Sequence, residues 1–157
     1  VTFKVCFAPD HNPEMEIMKW MMKARDRVDF AMFTFSKSSG IDDAMVQAMR
    51  AGIPVRGVMD SMQANQDWAA TKGLVEAGAA LHTVRKGGGI NKLHHKMMTV
   101  DDEALIIGSF NYTGPANALN DENIVVLHGP GAAPLALAAR QEIDRIIDTH
   151  ARALPRS

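Results

Sequence analysis

The chain has 157 residues, 46% of them hydrophobic, with 17 Lys and Arg against 18 Asp and Glu. These values suit one folded domain with a real core and argue against a disordered chain. The net charge of −1 makes no global case for a polyanion partner, and the single cysteine, Cys6, excludes a disulfide framework or a cysteine-rich zinc site.

Val1 to Phe7 is β-rich and alternating, and reads as a strand. Asn12 is placed as an N-cap with Pro13 at the first helical turn, and a helix with a methionine-rich face runs to about Arg27. Val28 to Phe35 is apolar on both faces, so it reads as a buried strand. A helix over Ile41 to Ala51 stops at Gly52, and a strand over Ile53 to Met59 ends before Asp60. Gln66 to Ala77 reads as a helix and Ala80 to Val84 as a strand. Three consecutive glycines, Gly87 to Gly89, mark a loop. Lys96 to Val100 and Glu103 to Gly108 form a hairpin around Asp101-Asp102, Ile124 to His128 is a strand, and Leu135 to His150 is a long amphipathic helix. Helices alternate with strands early and strands pair as a hairpin late. The fold class is therefore α/β, a mixed β-sheet flanked by helices, with residues 1–157 as a single domain.

The chemistry is concentrated between His94 and Glu122. His94 and Lys96 are two apart, so on a strand they share a face and His95 points away. Ser109 and Asn111 repeat that spacing. Lysine supplies charge for a phosphate, and serine and asparagine supply hydrogen-bond donors. Histidine can serve as nucleophile or as general acid and base near neutral pH. A carboxylate such as Glu122 can hold an imidazole tautomer. Arg85, Lys86 and Lys92 form a basic, acid-free approach to the motif and are candidate contacts to a substrate backbone. The ends of two strands, at Ser36-Lys37 and around Gln63 to Trp68, are weaker candidates on the same side.

His94-x-Lys96-x4-Asp101, followed by Gly108-Ser109-x-Asn111 and Glu122, resembles the HKD signature of the phospholipase D superfamily, closest to its small bacterial endonuclease branch. The resemblance implies an HKD-domain fold over nearly the whole chain. It implies a metal-independent phosphodiesterase without cofactor, in which one histidine attacks phosphorus and a second protonates the leaving oxygen. Carried onto this sequence, His94 is nucleophile or acid, Lys96 and Asn111 bind phosphate, Ser109 supports them and Glu122 orients His94. Asp101 completes the motif and is counted with the site, although the resemblance implies a structural place for it at the turn.

Only one His-x-Lys pair is present, so a partner is expected. It would be a second copy in a homodimer, or another HKD half in a longer parent chain. Nucleic acid is the favoured substrate. A phospholipase or phosphatidyltransferase acting on phospholipid is the alternative, and a non-catalytic nucleic-acid-binding module is the competitor from another class. The longest uncharged run, Val125 to Ala139, is too short to span a bilayer, and no stable membrane association is expected. The chain opens on Val1, which is compatible with a removed signal peptide or a preceding domain. Scarce cysteine fits a cytoplasmic, reducing compartment, and localisation stays open.

Overall fold

In chain order the elements are β1 (Thr2–Ala8), α1 (Pro13–Met22), β2 (Val28–Met32), α2 (Ile41–Arg50), β3 (Val55–Met59), α3 (Ser61–Ala64), α4 (Thr71–Glu76), β4 (Ala80–Val84), β5 (Lys96–Val100), β6 (Ala104–Gly108), α5 (Gly114–Ala118), β7 (Glu122–His128), α6 (Ala133–His150) and β8 (Ala151–Ala153). They come from a computed structural model that describes residues 1–156. The strands form one mixed sheet in the order β1-β7-β6-β5-β2-β3-β4-β8. β2, β3 and β4 are parallel, because helices cross over between them. The other ladders are antiparallel.

Two apolar layers cover the sheet. On one face Phe30, Met32 and Met98 pack with Ile17 and Met21 of α1, Met45 of α2 and Leu74 of α4. On the other, Ala31, Val58, Val84 and Met97 pack under Ile143 and Ile146 of α6. Every residue of β2 is buried, as its two-sided apolar pattern predicts. That run includes Asp29, whose carboxylate is satisfied by Arg27 at 2.7 Å and Arg56 at 2.7 Å. Arg56 reaches on to Asp144 of α6 at 2.6 Å, tying the helix to the sheet.

Gly57 of β3 stands opposite Phe30 of β2, and the Phe30 ring lies over it. A Cβ at Gly57 would lie 2.3 Å from the Phe30 ring. Gly57→Ala is therefore expected to destabilise the domain by about 1–3 kcal/mol through overpacking, measurable as a lower urea midpoint at unchanged slope.

Several boundaries differ from the sequence expectation. Of the helix expected over Gln66 to Ala77 only α4 forms, and α3 is a separate turn ahead of that range. The intervening segment is drawn out to bond the chain after β2: Ala70 N–H donates to Phe35, and Lys37 N–H donates to Trp68. α1 stops at Met22, since the backbone N–H groups of Arg25, Asp26 and Arg27 are captured by the Asp101 carboxylate. Asn12 caps α1 as expected, its side chain accepting from Met15 N–H at 3.3 Å. α5 and the three-residue β8 were not anticipated.

Candidate active site

Five chain segments meet at one end of the sheet: the residues after β2, Asp60 after β3, the start of β5, the end of β6 and the start of β7. There, an open depression of about 590 Å³ is lined by His94, Lys96, Ser109, Asn111 and Glu122, with His95, Met97, Ile107 and Gly108 completing its wall. The predicted polar set converges on one surface.

The approach to His94 is fixed from below. Buried Asp60 accepts from Leu93 N–H at 3.1 Å and caps α3 through Gln63 N–H at 3.3 Å. His94 is exposed, and its ring rests against Phe33 with centroids 4.6 Å apart. The Lys96 ammonium donates to the His94 carbonyl at 2.8 Å and lies 2.9 Å from its Nδ1. Partial loss of water, then the charges of Lys96 and Lys92, hold the His94 pKa below the ordinary histidine value, with Asp60 pulling weakly the other way. Burial likewise lowers Lys96, opposed by Glu122.

Asn111 is not in a strand. Its Oδ1 accepts from Thr34 N–H at 3.2 Å, and this orientation leaves the amide NH2 as the free donor group. Thr34 is itself held by Gln63, whose Oε1 accepts from the Thr34 hydroxyl at 3.0 Å. The Ser109 hydroxyl donates to Glu122 and accepts from Asn123 N–H at 3.1 Å.

Three expectations need correction. Glu122 is engaged by Ser109, and among the described residues it makes no hydrogen bond to His94. Asp101 sits at the far end of β5, 4% exposed, and lines no part of the depression. Its carboxylate accepts from the N–H groups of Arg25, Asp26 and Arg27 at 3.1, 2.8 and 2.9 Å. Of the basic approach, only Lys92 stands beside the site. The Arg85 guanidinium donates to the Thr149 carbonyl at 2.5 Å, and Lys86 is exposed on the glycine loop, which His150 holds through the Gly88 carbonyl at 2.5 Å. His95 turns towards α6, its Nε2 3.5 Å from Glu142. Phe33, Thr34 and Asp60 escape sequence reasoning, since an aromatic, a threonine and an aspartate at strand ends carry no motif.

A His-x-Lys strand beside a Gly-Ser-x-Asn turn, at one end of a mixed sheet covered by helices on both faces, is the architecture of a phospholipase D-type domain. The family described as "Cardiolipin synthase, PLD-like domain" matches residues 17–147, and the chain belongs to the phospholipase D superfamily. It is 29% identical over 131 residues to a mitochondrial cardiolipin hydrolase of Chlamydomonas reinhardtii, covering 83% of this chain and 56% of that protein. It is 27% identical over 122 residues to a phospholipase D of Rickettsia conorii, covering 78% of this chain and 59% of the relative. The chain thus spans somewhat more than half the length of these relatives. Among solved structures, the phospholipase D family member Nuc from Salmonella typhimurium superposes with a TM-score of 0.82 at 23% identity, over 98% of this chain and 97% of that one. That likeness establishes the fold.

Proposed function

We propose that the domain is a metal-independent phosphodiesterase that cleaves nucleic acid, its site completed by a second copy. The observation that carries this reading is the convergence of His94, Lys96, Ser109, Asn111 and Glu122 on one open depression. An imidazole nitrogen of His94, neutral at working pH, attacks phosphorus. A P–N bond forms as the P–O bond to the leaving group breaks, and the second copy's histidine protonates the departing oxygen. That histidine then takes a proton from water, whose oxygen attacks phosphorus and releases His94. Lys96 and the Asn111 amide hold the non-bridging oxygens throughout. Glu122 balances the imidazolium charge across the depression.

The nucleic-acid preference is supported by the open, polar shape of the site and by exposed Lys92 beside it. Among the described residues, no three His, Cys, Asp or Glu side chains cluster as a candidate metal site. Pairing with a second copy is supported by an apolar strip on the α6 side of the sheet. α6 lies over β2 to β6, leaving Phe3, Val5 and Phe7 of β1 at 62, 48 and 52% exposure. Half-buried Val125 and Leu127 join this strip to Ile107 on the wall of the depression.

A phospholipid substrate is the second reading. It is favoured by the names of the curated relatives and by Met62 on α3, Trp68 on the segment after it and Leu119 at the end of α5, all exposed at the site's end of the sheet. No described helix is long and apolar enough to cross a membrane.

The test is cleavage of labelled single- and double-stranded DNA and RNA in chelator, beside vesicles containing phosphatidylcholine and cardiolipin, with the protein sized by light scattering. Chelator-resistant cleavage of nucleic acid by a dimer, falling steeply with salt and on dilution, is the expected result. Turnover that requires metal, or turnover of vesicles alone, would overturn it.

A further inference from the structure

Phe33 follows β2 directly, is half-buried, and donates its backbone N–H to the His95 carbonyl at 2.9 Å. Its ring meets three groups of the site. The His94 imidazole lies 4.6 Å away between centroids, inclined by 50°. The Lys96 ammonium stands 5.4 Å from the same centroid and that of Lys92 stands 5.6 Å from it. Both fall inside the roughly 6 Å over which a cation feels an aromatic quadrupole.

Two like charges drawn to one place need something to hold them there. A carboxylate would do so, but it would cancel their charge and compete with a phosphate for their N–H donors. An aromatic face attracts the cations and leaves their net charge intact. Among the described residues, neither Lys92 nor Lys96 is paired with a carboxylate. The ring also bounds the imidazole from the β2 side and limits its rotamers. Phe33 is itself fixed by its bond to His95, on the same strand approach that presents His94.

The geometry points to Phe33 as a positioning residue: its ring seats the His94 imidazole and holds Lys92 and Lys96 together as an uncompensated receptor for the phosphate. The inference rests on the reading of His94 and Lys96 as phosphate-handling residues given above. The lowered pKa of His94 agrees with it, since desolvation and these two ammonium groups are its causes. Asp60 below His94 acts on it in the opposite sense, and Glu122 raises Lys96 against its burial.

The experiment follows the His94 imidazole by NMR titration in the unliganded protein, with kcat and KM measured alongside. In Phe33→Leu the midpoint should rise towards the ordinary histidine value. In the same variant kcat should fall about 10- to 100-fold, with a smaller change in KM, as for a displaced reacting group. Phe33→Tyr should restore both. Lys92→Gln should raise the midpoint in the wild-type background and raise it less with Phe33→Leu, because the two share one contact. A measurement on the wild-type protein guards against a variant that fails to fold. The ε-methylene protons of Lys92 and Lys96 should be displaced upfield by the Phe33 ring current. Undisplaced lysine resonances, or a folded Phe33→Leu with unchanged midpoint and kcat, would overturn the inference. Full turnover by His94→Ala would instead overturn the catalytic reading beneath it.

Discussion

His94→Ala is expected to lower turnover by about 10⁴-fold or more while leaving thermal unfolding unchanged. The magnitude is that of removing a nucleophile from a site whose parts act as a unit. The retained stability follows from exposure: the imidazole stands in the depression, where its loss opens no cavity and strands no buried group. The pH profile adds a second readout. The attacking imidazole must be neutral, so activity falls as pH falls through its pKa. Because partial desolvation, Lys96 and Lys92 hold that pKa below the usual 6.5, the acid limb of kcat/KM should lie on the acid side of an ordinary histidine. Replacing Lys96 by Met should move the limb upwards, besides weakening phosphate binding. An acid limb above the ordinary value, or wild-type turnover by His94→Ala, would remove His94 from the mechanism.

Asp101→Ala should produce the opposite phenotype. Its carboxylate is buried and accepts from three consecutive backbone N–H groups, so truncation leaves those donors without a partner. Asp101 also sits in the left-handed region at φ 55°, which aspartate tolerates better than alanine. The expected loss is about 3–5 kcal/mol, or about 10 °C in Tm for a domain of this size. Asp101→Asn keeps one acceptor and the backbone preference, and should recover part of it. Activity per folded molecule should stay close to wild type in both variants, measured well below their melting temperatures. A loss of kcat at full stability would place Asp101 in the reaction instead.

The two variants fall within one eight-residue motif, and that contrast shows what was legible in the sequence. Strands that alternate, or are apolar on both faces, could be read from pattern alone. β2, β3, β4 and the β5–β6 hairpin all lie within the predicted segments. The two-residue spacing of His94 and Lys96 implied a common face, and the structure puts both in one depression. What pattern could not supply was tertiary override. The chain at 65–70 is helix-compatible, yet it is drawn out to bond Phe35 and Lys37. The end of α1 depends on a carboxylate more than 70 positions away in the chain. Asp60 and Phe33 act through geometry that exists only once β2, β3 and β5 are neighbours. The Thr113-Gly114-Pro115 start of α5 did carry a local signal. Thr113 caps it through Ala116 N–H at 3.2 Å, and a short polar helix is easily passed over.

The strand order has a consequence for dissection of the molecule. The glycine loop at Gly87 to Gly89 lies between β4 and β5, so a nick there leaves four strands in each fragment. The two sets are not side by side. β1 pairs with β7, β2 with β5 and β4 with β8, so three of the seven ladders join one fragment to the other. Neither fragment holds a contiguous sheet with both faces covered, because α6 belongs to the second while β2, β3 and β4, which it also covers, lie in the first. A clipped molecule should therefore remain assembled under native conditions, and the halves produced separately should fold by complementation, which makes this loop a natural split point for a two-fragment reporter.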